Sequence, residues 1–270
     1  MADVSDVYNG LVAYISNLLY PNGTSQPSAI SYNGSNVSFR VYPGWPVSED
    51  LDSDMAAGIV NINVYPLPTE RNISTLDHTP WILSQPAPTL TATASGQTVT
   101  IGGTVTAGEA VGITVGNTTY AYLVLATDTL SSIASALAAL IPGATATGSV
   151  VTVDSVSNLK AAIGVPTQVV TPVKRQLRWF MIGVWSPSPV LRDQVAKYVD
   201  SWLGDLYRLA MPDGSAANLK YHTSPMNDLL QKENTWRRDL YYEVIFETTR
   251  IETLMTVVGT NLTITLQPAQ

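Results

Sequence analysis

Near each end of the chain, apolar residues recur at helical spacing after a capping signal. Near the start, Asp3 or Ser5 is placed to cap a helix that ends before Pro21-Asn22-Gly23, and its apolar stripe is Val7, Leu11, Ile15 and Leu18. Ser188-Pro189 has the order typical of a helix start. The stripe that follows it is Leu191, Val195, Val199, Trp202 and Leu206. The pattern therefore predicts one long helix near each end of the chain.

Strands are predicted where apolar residues alternate with polar ones or form a continuous run. Two segments in which apolar and polar residues alternate are predicted to be half-buried strands. The apolar residues of the first are Val37, Phe39 and Val41, and those of the second are Val60, Ile62 and Val64. In the second strand, Asn61 and Asn63 are expected on the solvated side. The nearly apolar run from Arg178 to Trp185 predicts a central strand. Two later strands contain Leu240, Tyr242, Val244 and Phe246, and Leu262, Ile264 and Leu266. Without a strict βα alternation, this predicts an α+β protein with a mostly antiparallel sheet flanked by helices.

The middle of the chain predicts a small module of strands around one helix. Its strands are rich in Val, Ile, Thr and Tyr, and are Thr98–Ile101, Val111–Val115, Thr119–Leu125 and Ser149–Val153. Asp128 is placed to cap a helix that stops at Pro142-Gly143, with the apolar stripe Leu130, Ile133, Leu137 and Leu140. A small Ig-like β-sandwich or an α+β module fits this pattern.

Charge is distributed unevenly along the chain. Only four charged residues fall between Pro86 and Pro172, namely Glu109, Asp128, Asp154 and Lys160, and every Trp and Phe lies outside this segment. Prolines at both edges of the segment suit linkers. The sequence therefore predicts an inserted β-rich domain at residues 86–172, within a discontinuous α+β host domain made of residues 1–85 and 173–270.

Composition excludes several classes of function. The chain has no Cys, which excludes disulfide scaffolds, Cys-ligated metals and thiol nucleophiles, and its 2 His leave little for a His-rich metal centre. Its net charge of −7 argues against general binding to a phosphate backbone. The most apolar helical segment, Thr129–Ile141, is too short to span a membrane, and the N-terminus lacks the pattern of a signal peptide. We therefore expect a protein of the cytosol, or of a particle assembled there.

Candidate catalytic and metal sites are weak in this sequence. P-loop, His-Glu-x-x-His, Gly-x-Ser-x-Gly and Gly-x-Gly-x-x-Gly patterns are absent. His78 and His222 are most simply loop or strand residues. Asp50, Asp52 and Asp54 alternate as in a calcium loop, but the required Gly and Glu are missing. A short helix capped by Ser48, with Leu51 and Met55 buried and the acids solvated, is predicted instead, ending at Gly58. No catalytic residue, cofactor or metal is predicted.

Four residues are candidates for contacts between subunits: Trp45, Arg237, Arg238 and Tyr241. Trp45 lies between prolines in a turn, where it is either a core residue or a rigid interface anchor. Arg237-Arg238-Asp239 precedes a strand, and arginines of this kind are enriched at interfaces. The alternative is that the arginines pair within the chain, with Asp239 or Glu233.

Several segments together resemble structural proteins of tailed bacteriophages, in particular the neck or tail-terminator group. The segments are Val41–Pro46, Val60–Tyr65, Arg71–Thr75, Trp185–Asp193, Met211–Ser215 and Arg237–Tyr242, and they cover most of the predicted host domain. The middle segment, with Thr98–Glu109 and Asp128–Ala134, is similar to small β-rich decorating modules of phage tail proteins.

The resemblance implies a non-enzymatic virion protein of the tail or neck, assembled in the cytoplasm of the bacterial host. Such subunits form homo-oligomeric rings, commonly hexamers, which cap the tail tube and join it to the head-side connector. The tube, the sheath and the connector are then its protein partners. DNA would pass through an acidic lumen without specific binding, because like charges repel. The ring would use two different patches, for which Trp45 and the Arg237/Arg238 edge are the candidates. The inserted module would project outward.

Three other functions remain open from the sequence. The chain could be a different ring component of a tube, baseplate or connector. It could instead be a carbohydrate-binding surface module, since Thr-rich strands and Trp residues suit sugar stacking. An enzyme would need an Asp and a Ser within reach of His78 or His222.

Overall fold

The computed structural model of the chain describes residues 1–74, 79–154, 158–227 and 235–256. It is an α+β protein with mostly antiparallel sheets, as predicted. The predicted strand with Leu262, Ile264 and Leu266 lies outside the described residues, and so do His78 and Glu233.

The helices and strands are numbered here in chain order. The helices are α1 (Val4–Leu19), α2 (Ser48–Ala56), α3 (Leu130–Leu140) and α4 (Pro189–Asp205). The strands up to the middle of the chain are β1 (Ser31–Tyr32), β2 (Ser35–Asn36), β3 (Phe39–Pro43), β4 (Val60–Asn72), β5 (Trp81–Ser84), β6 (Leu90–Ser95), β7 (Thr98–Gly103), β8 (Ala110–Val115) and β9 (Thr118–Leu123). The later strands are β10 (Ala144–Thr147), β11 (Val150–Val153), β12 (Leu159–Gly164), β13 (Pro166–Ser186), β14 (Arg208–Ala210), β15 (Ala216–Thr223), β16 (Met226–Asn227) and β17 (Trp236–Met255).

The chain divides into two compact units. The first unit is Met1–Pro80 with Val170–Ile251, and the second is Trp81–Val169 with the described residues 252–256. The assignment of residues 86–172 as an inserted domain, with a host formed by residues 1–85 and 173–270, stays a prediction.

The first unit is built on a sheet with the strand order β14-β15-β17-β13-β4-β3. The pairing of β3 with β4 is parallel, whereas β4 with β13, β14 with β15 and β15 with β17 are antiparallel. One face of this sheet packs against α1 and α4 in a single apolar core. Its strand residues include Ile62, Val184, Val244 and Phe246. This apolar layer fixes which side of each strand points away from the two helices.

The two long helices predicted for the first unit are present, but some of their predicted capping and buried residues are wrong. Asp3 caps α1 by accepting a hydrogen bond from the Ser5 backbone N–H (2.7 Å), so the alternative cap, Ser5, is wrong. Leu19 rather than Leu18 completes the buried stripe of α1, because i+4 steps from Ile15 reach position 19. In α4, Ser188 occupies the N-cap position as predicted, but its side chain makes no capping hydrogen bond. Leu203 of this helix is buried, whereas Trp202 is 47% exposed.

The opposite face of the sheet, here called the second face, differs from the sequence prediction. Asn61 and Asn63 were expected to be solvated, but they are 1% and 0% exposed. They pair in register with Trp185 and Gly183 of β13, so a polar layer is buried on this side. Helix α2 contributes Leu51 and Met55 to a small apolar cluster with Trp185. The start of β4 is therefore buried on both faces.

The second unit contains two antiparallel sheets, with the strand orders β10-β11-β7-β6 and β12-β8-β9. Helix α3 packs into their shared core through Ile133, Ala134 and Leu137, whereas Leu140, predicted on the same stripe, is 48% exposed. Thr129 caps α3 in a capping box with Ser132, so the predicted cap, Asp128, is wrong. Asp128 instead accepts hydrogen bonds from the Ser132 hydroxyl and the Leu125 backbone N–H.

One buried carboxylate holds the start of β6 in the second unit. Glu109 is 4% exposed, and its two oxygens accept hydrogen bonds from the backbone N–H groups of Thr89 (2.7 Å) and Leu90 (3.0 Å). The Thr89 hydroxyl donates a third bond at 3.0 Å. Because a buried donor that loses its partner cannot regain water, this carboxylate stabilises the β6 edge.

Glu109→Ala is therefore expected to lower the free energy of unfolding of the second unit by about 3 kcal/mol, since three hydrogen bonds to a buried charge are lost. Urea denaturation followed by circular dichroism measures this loss. Glu109→Gln keeps one acceptor and should lose roughly half as much. Asp154→Ala, at an exposed acid of the same unit, is the matched control, expected within about 0.5 kcal/mol of the unmodified protein. Equal losses for Glu109→Ala and Asp154→Ala would contradict the assignment.

Candidate functional site

The second face of the sheet carries a cluster of an arginine, two tryptophans and two buried polar side chains. Its members are Arg237, Trp45, Trp185, Asp239 and Asn63, here called the Arg237 cluster. Strands β4, β13 and β17 bring four of them together, and the turn after β3 supplies Trp45. Alternation along the strands sends their apolar neighbours into the core with α1 and α4.

Arg237 lies between two aromatic rings. Its guanidinium carbon is 4.7 Å from the ring centroid of Trp45 and 4.5 Å from that of Trp185. The Nε–H donates to Asp239 Oδ1 at 2.7 Å, and a terminal N–H contacts Met181 Sδ at 3.1 Å. The Arg237 side chain is only 14% exposed. A cation stacked on tryptophan away from water gains about 2 kcal/mol per stack.

Asn63 connects this stack to the turn that bears Trp45. Its Oδ1 accepts a hydrogen bond from Trp185 Nε1, and its Nδ2 donates to the Gly44 carbonyl, each at 2.9 Å. Gly44 has φ +94°, a left-handed conformation that glycine adopts without strain, and the chain bends there. Asn63 therefore fixes both the orientation of Trp185 and the backbone that precedes Trp45.

Trp45 is held firmly and still faces solvent. Its ring makes edge-to-face contacts with Tyr65 (5.8 Å between centroids) and Trp185 (6.0 Å), and Arg237 covers one side. Even so, 51% of its surface is exposed. The two alternatives from the sequence therefore combine: one side of Trp45 packs in the cluster, and the other is free for a contact.

Asp239 is a buried carboxyl that its environment makes harder to ionise than an exposed one. Burial raises its pKa above the ordinary value, and the opposing effects of Arg237 and of a hydrogen bond from Tyr241 do not cancel the burial. The pKa of Tyr241 is raised too, first by burial and then by the Asp239 charge. Protonation of Asp239 would therefore remove its ion pair with Arg237.

A cleft of about 230 Å³ adjoins the cluster beside Trp45. Its lining combines aromatic, charged and amide groups, and includes Arg40, Tyr42, Asp50 and Asn61. Asp54, at 4% exposure, contacts two of these lining residues: it pairs with Arg40 (3.2 Å) and accepts a hydrogen bond from Asn61 Nδ2 (2.9 Å). The prediction that Asp50, Asp52 and Asp54 are all solvated is therefore wrong for Asp54, since this carboxylate is enclosed by its two partners. Ser48 is the first residue of α2, and its predicted capping role is wrong because Val47 occupies the cap position.

The phenol of Tyr42, which lines the cleft, has a raised pKa that can be measured. Burial, and secondarily the Asp54 charge, raise the pKa of its phenol to about 12. A tyrosine whose folded pKa lies above 10 stabilises the fold below pH 10, and this contribution is lost as pH rises toward 12. We expect Tyr42→Phe to reduce the loss of stability between pH 10 and 12, measured by urea unfolding. Asp54→Asn should lower the pKa of Tyr42, followed by absorbance at 295 nm. An unchanged alkaline profile in Tyr42→Phe would contradict this prediction.

The four interface candidates do not all lie together. Trp45, Arg237 and Tyr241 meet through the Arg237 cluster and Asp239. Arg238 points to the other side of β17, where its Nε donates to Ser224 Oγ at 2.9 Å and a terminal nitrogen lies 3.9 Å from Asp193 of α4. The alternative of pairing within the chain is confirmed for Arg237 with Asp239. The role of the four residues between subunits stays a prediction.

The sequence analysis did not single out Asn63, Trp185 or Gly183 as site residues. The available signal was the alternation Val-Asn-Ile-Asn-Val in β4, in which small amides occupy every second position. That pattern fits a solvated strand face as well as a buried amide layer. Only the register with Trp185 and Gly183 distinguishes the two.

The described histidine, His222, lies apart from the cluster. Its ring stacks on Trp179 at 4.1 Å between centroids, and Nδ1 is 4.0 Å from a carboxylate oxygen of Glu243. Within the described ranges, no group of three or more His, Asp or Glu residues could hold a metal ion. Nor is any helix in this part of the chain long and apolar enough to cross a membrane.

Comparison with known proteins adds no family to this picture. No protein-family model matches the chain, and no curated protein sequence matches it significantly.

Proposed function

We propose that the chain is a structural protein of the tailed-phage neck, a ring-forming tail terminator or collar that caps the tail tube and joins it to the head-side connector. The resemblance of its sequence segments to that group is one support. The observation that carries the proposal is Trp45, a tryptophan that is half exposed and yet held by Arg237, Tyr65 and Trp185. A rigid tryptophan loses little conformational entropy on binding, and Trp, Tyr and Arg dominate the energy of protein interfaces.

The proposed mechanism is assembly rather than chemistry. Each subunit contacts two neighbours through different patches, which closes a ring if the rotation between neighbours divides a full turn. One side of the ring then binds the last ring of the tail tube and stops its growth, and the other receives the connector.

Native mass spectrometry and negative-stain microscopy of the purified protein test ring formation. We expect closed rings with a mass that is an integer multiple of the chain, commonly six, and loss of rings in Trp45→Ala. Asp154→Ala, at an exposed acid of the second unit, is the folding and handling control. Antibody labelling of the intact virion should place the protein at the neck. Labelling of the capsid or tail tip, or a protein that stays monomeric even with tail tubes, would overturn the proposal.

The middle segment is proposed to be a decorating module that is separate from termination. Deletion of Ser84–Thr171 should therefore leave tails of normal length, measured by microscopy of assembled particles. Tails of uncontrolled length in this deletion, with rings still present, would contradict this role.

The cleft beside Trp45 favours one second candidate, a carbohydrate-binding surface module. The rings of Tyr42 and Trp45 could stack on a sugar, while Arg40, Asp50 and Asn61 offer donors and acceptors for its hydroxyls. A glycan array distinguishes the two: glycan binding by a monomeric protein, abolished in Trp45→Ala, would favour this candidate over ring assembly.

A further inference from the structure

Two exposed patches with complementary chemistry lie at opposite ends of the main sheet of the first unit. We infer that they bind each other between neighbouring copies, so that the ring closes by head-to-tail contact of the β3 end with the β14 end. This inference rests on the proposed function and adds the residues that form the contact. It also replaces Arg237 and Arg238 as the second patch, because both are held within the chain.

The first patch, here called the acidic patch, lies at the β3 end. Trp45 and Val47 are 51% and 63% exposed, and Glu49, Asp50 and Asp52 at the start of α2 are exposed acids. None of these three carboxylates forms an ion pair within the described residues. Exposed apolar and aromatic side chains are typical of the core of a protein interface, and charged groups beside them suit its polar rim.

The second patch, here called the basic patch, lies at the β14 end. Tyr207 is 70% exposed and Trp202 47% exposed, and both are large side chains at the end of α4 and just after it. Arg208 begins β14 and is exposed, and Lys220 is exposed on the neighbouring strand β15. The basic patch thus offers two aromatic rings and two cations, and the acidic patch offers one aromatic ring and three carboxylates. Opposite charges on two surfaces favour binding of the correct partner in the correct orientation.

The strand order prevents the two patches from meeting within one chain. β3 and β14 are the first and last strands of the order, five steps apart. At about 4.8 Å per step, this separates them by roughly 24 Å. A contact between two different patches is heterologous, which is the type that generates rings. The two patches therefore require a second copy.

Side chains, rather than strand addition, form this contact at the β3 end. The Tyr20 hydroxyl accepts a hydrogen bond from the Phe39 backbone N–H at 2.7 Å. Pro43, at the other end of β3, has no N–H to offer. An edge strand blocked in this way resists pairing with another strand. The exposed groups beside it, Trp45 and the acids of α2, remain available to a neighbouring copy.

Cysteine cross-linking tests the contact cleanly, because the natural chain has no Cys. Asp50→Cys protein is mixed with Arg208→Cys protein under mild oxidation. We expect a disulfide-linked dimer in the mixture and little dimer from either protein alone. Asp50→Cys mixed with Lys160→Cys, at an exposed lysine of the second unit, is the matched control. A disulfide needs Cα atoms within about 7 Å, so cross-linking reports direct contact. Equal cross-linking in the control mixture would overturn the inference.

Charge reversal gives a second, independent measurement. Asp50→Arg and Arg208→Glu should each weaken ring formation at least about tenfold, measured as the protein concentration at which rings half-assemble. The double variant should recover most of that loss, which a folding defect would not do. Rings that form normally without the Asp50–Arg208 cross-link overturn this contact and leave the proposed function standing. A protein that yields neither rings nor cross-links overturns both.

Discussion

Gly183→Ala is expected to destabilise the first unit by about 3 kcal/mol, although it adds a single methyl group. The added Cβ would lie 2.4 Å from Asn63 Oδ1, 3.1 Å from Trp185 Nε1 and 3.3 Å from Asp239 Oδ1. Asn63 cannot move away freely, because its amide is fully buried and bonded to both Trp185 and Gly44. The clash therefore breaks hydrogen bonds or displaces β13 from β4.

Gly204→Ala in α4 is the matched control for this prediction. No atom lies within 4 Å of the Cβ that would be added there, and the residue is exposed in the last turn of the helix. Alanine favours helix over glycine, so this variant should gain about 0.5–1 kcal/mol. If the packing argument holds, urea unfolding shows a lower free energy of unfolding for Gly183→Ala and a higher one for Gly204→Ala than for the unmodified protein. A Gly183→Ala protein as stable as the unmodified chain would show that the amide layer is loosely packed.

Much of the fold could be predicted because the apolar pattern of each element is simple. The stripe of α1 and the strand with Leu240, Tyr242, Val244 and Phe246 are buried as the periodicity requires. The errors occur where several side chains compete for one place. Whether Leu18 or Leu19, or Trp202 or Leu203, turns inward depends on the packing partner on the sheet. Helix caps were uncertain because neighbouring polar residues, such as Asp128 and Thr129, have similar capping tendencies.

The candidate site was only partly predictable, for a different reason. Trp45 and Arg237 could be selected because tryptophan in a proline-bounded turn and paired arginines are unusual in any sequence. The contact between these two residues could not be predicted, because 192 positions separate them and only the strand order brings them together. The buried layer of Asn61 and Asn63 had no distinctive signal in the sequence. An Asn that alternates with apolar residues is expected on a solvated strand face unless a partner strand supplies its hydrogen bonds.

Arg237→Ala is expected to cause the largest loss of stability, about 3–5 kcal/mol at neutral pH. The substitution removes the hydrogen bond and ion pair to Asp239, whose side chain is only 7% exposed, and it leaves that carboxylate without its cation. It also removes the stacking partner of Trp45 and Trp185. Arg238→Ala, one residue along, is the matched control. Its guanidinium is on the other side of β17 and bonds Ser224, so the expected loss is about 1 kcal/mol.

The pH dependence separates an unpaired charge from a simple packing defect in Arg237→Ala. The pKa of Asp239 is already raised above 3.8 in the folded chain, and loss of Arg237 must raise it further. A carboxyl with a raised folded pKa favours folding fully below its unfolded pKa, and this contribution disappears as pH rises through the folded value. The stability gap between Arg237→Ala and the unmodified protein should therefore narrow as pH falls from 7 toward 4, measured by urea unfolding. Adding Asp239→Asn to Arg237→Ala removes the titrating group and should abolish the narrowing. A gap that stays constant with pH would mean that Arg237 stabilises the sheet by stacking alone, with Asp239 already neutral at pH 7.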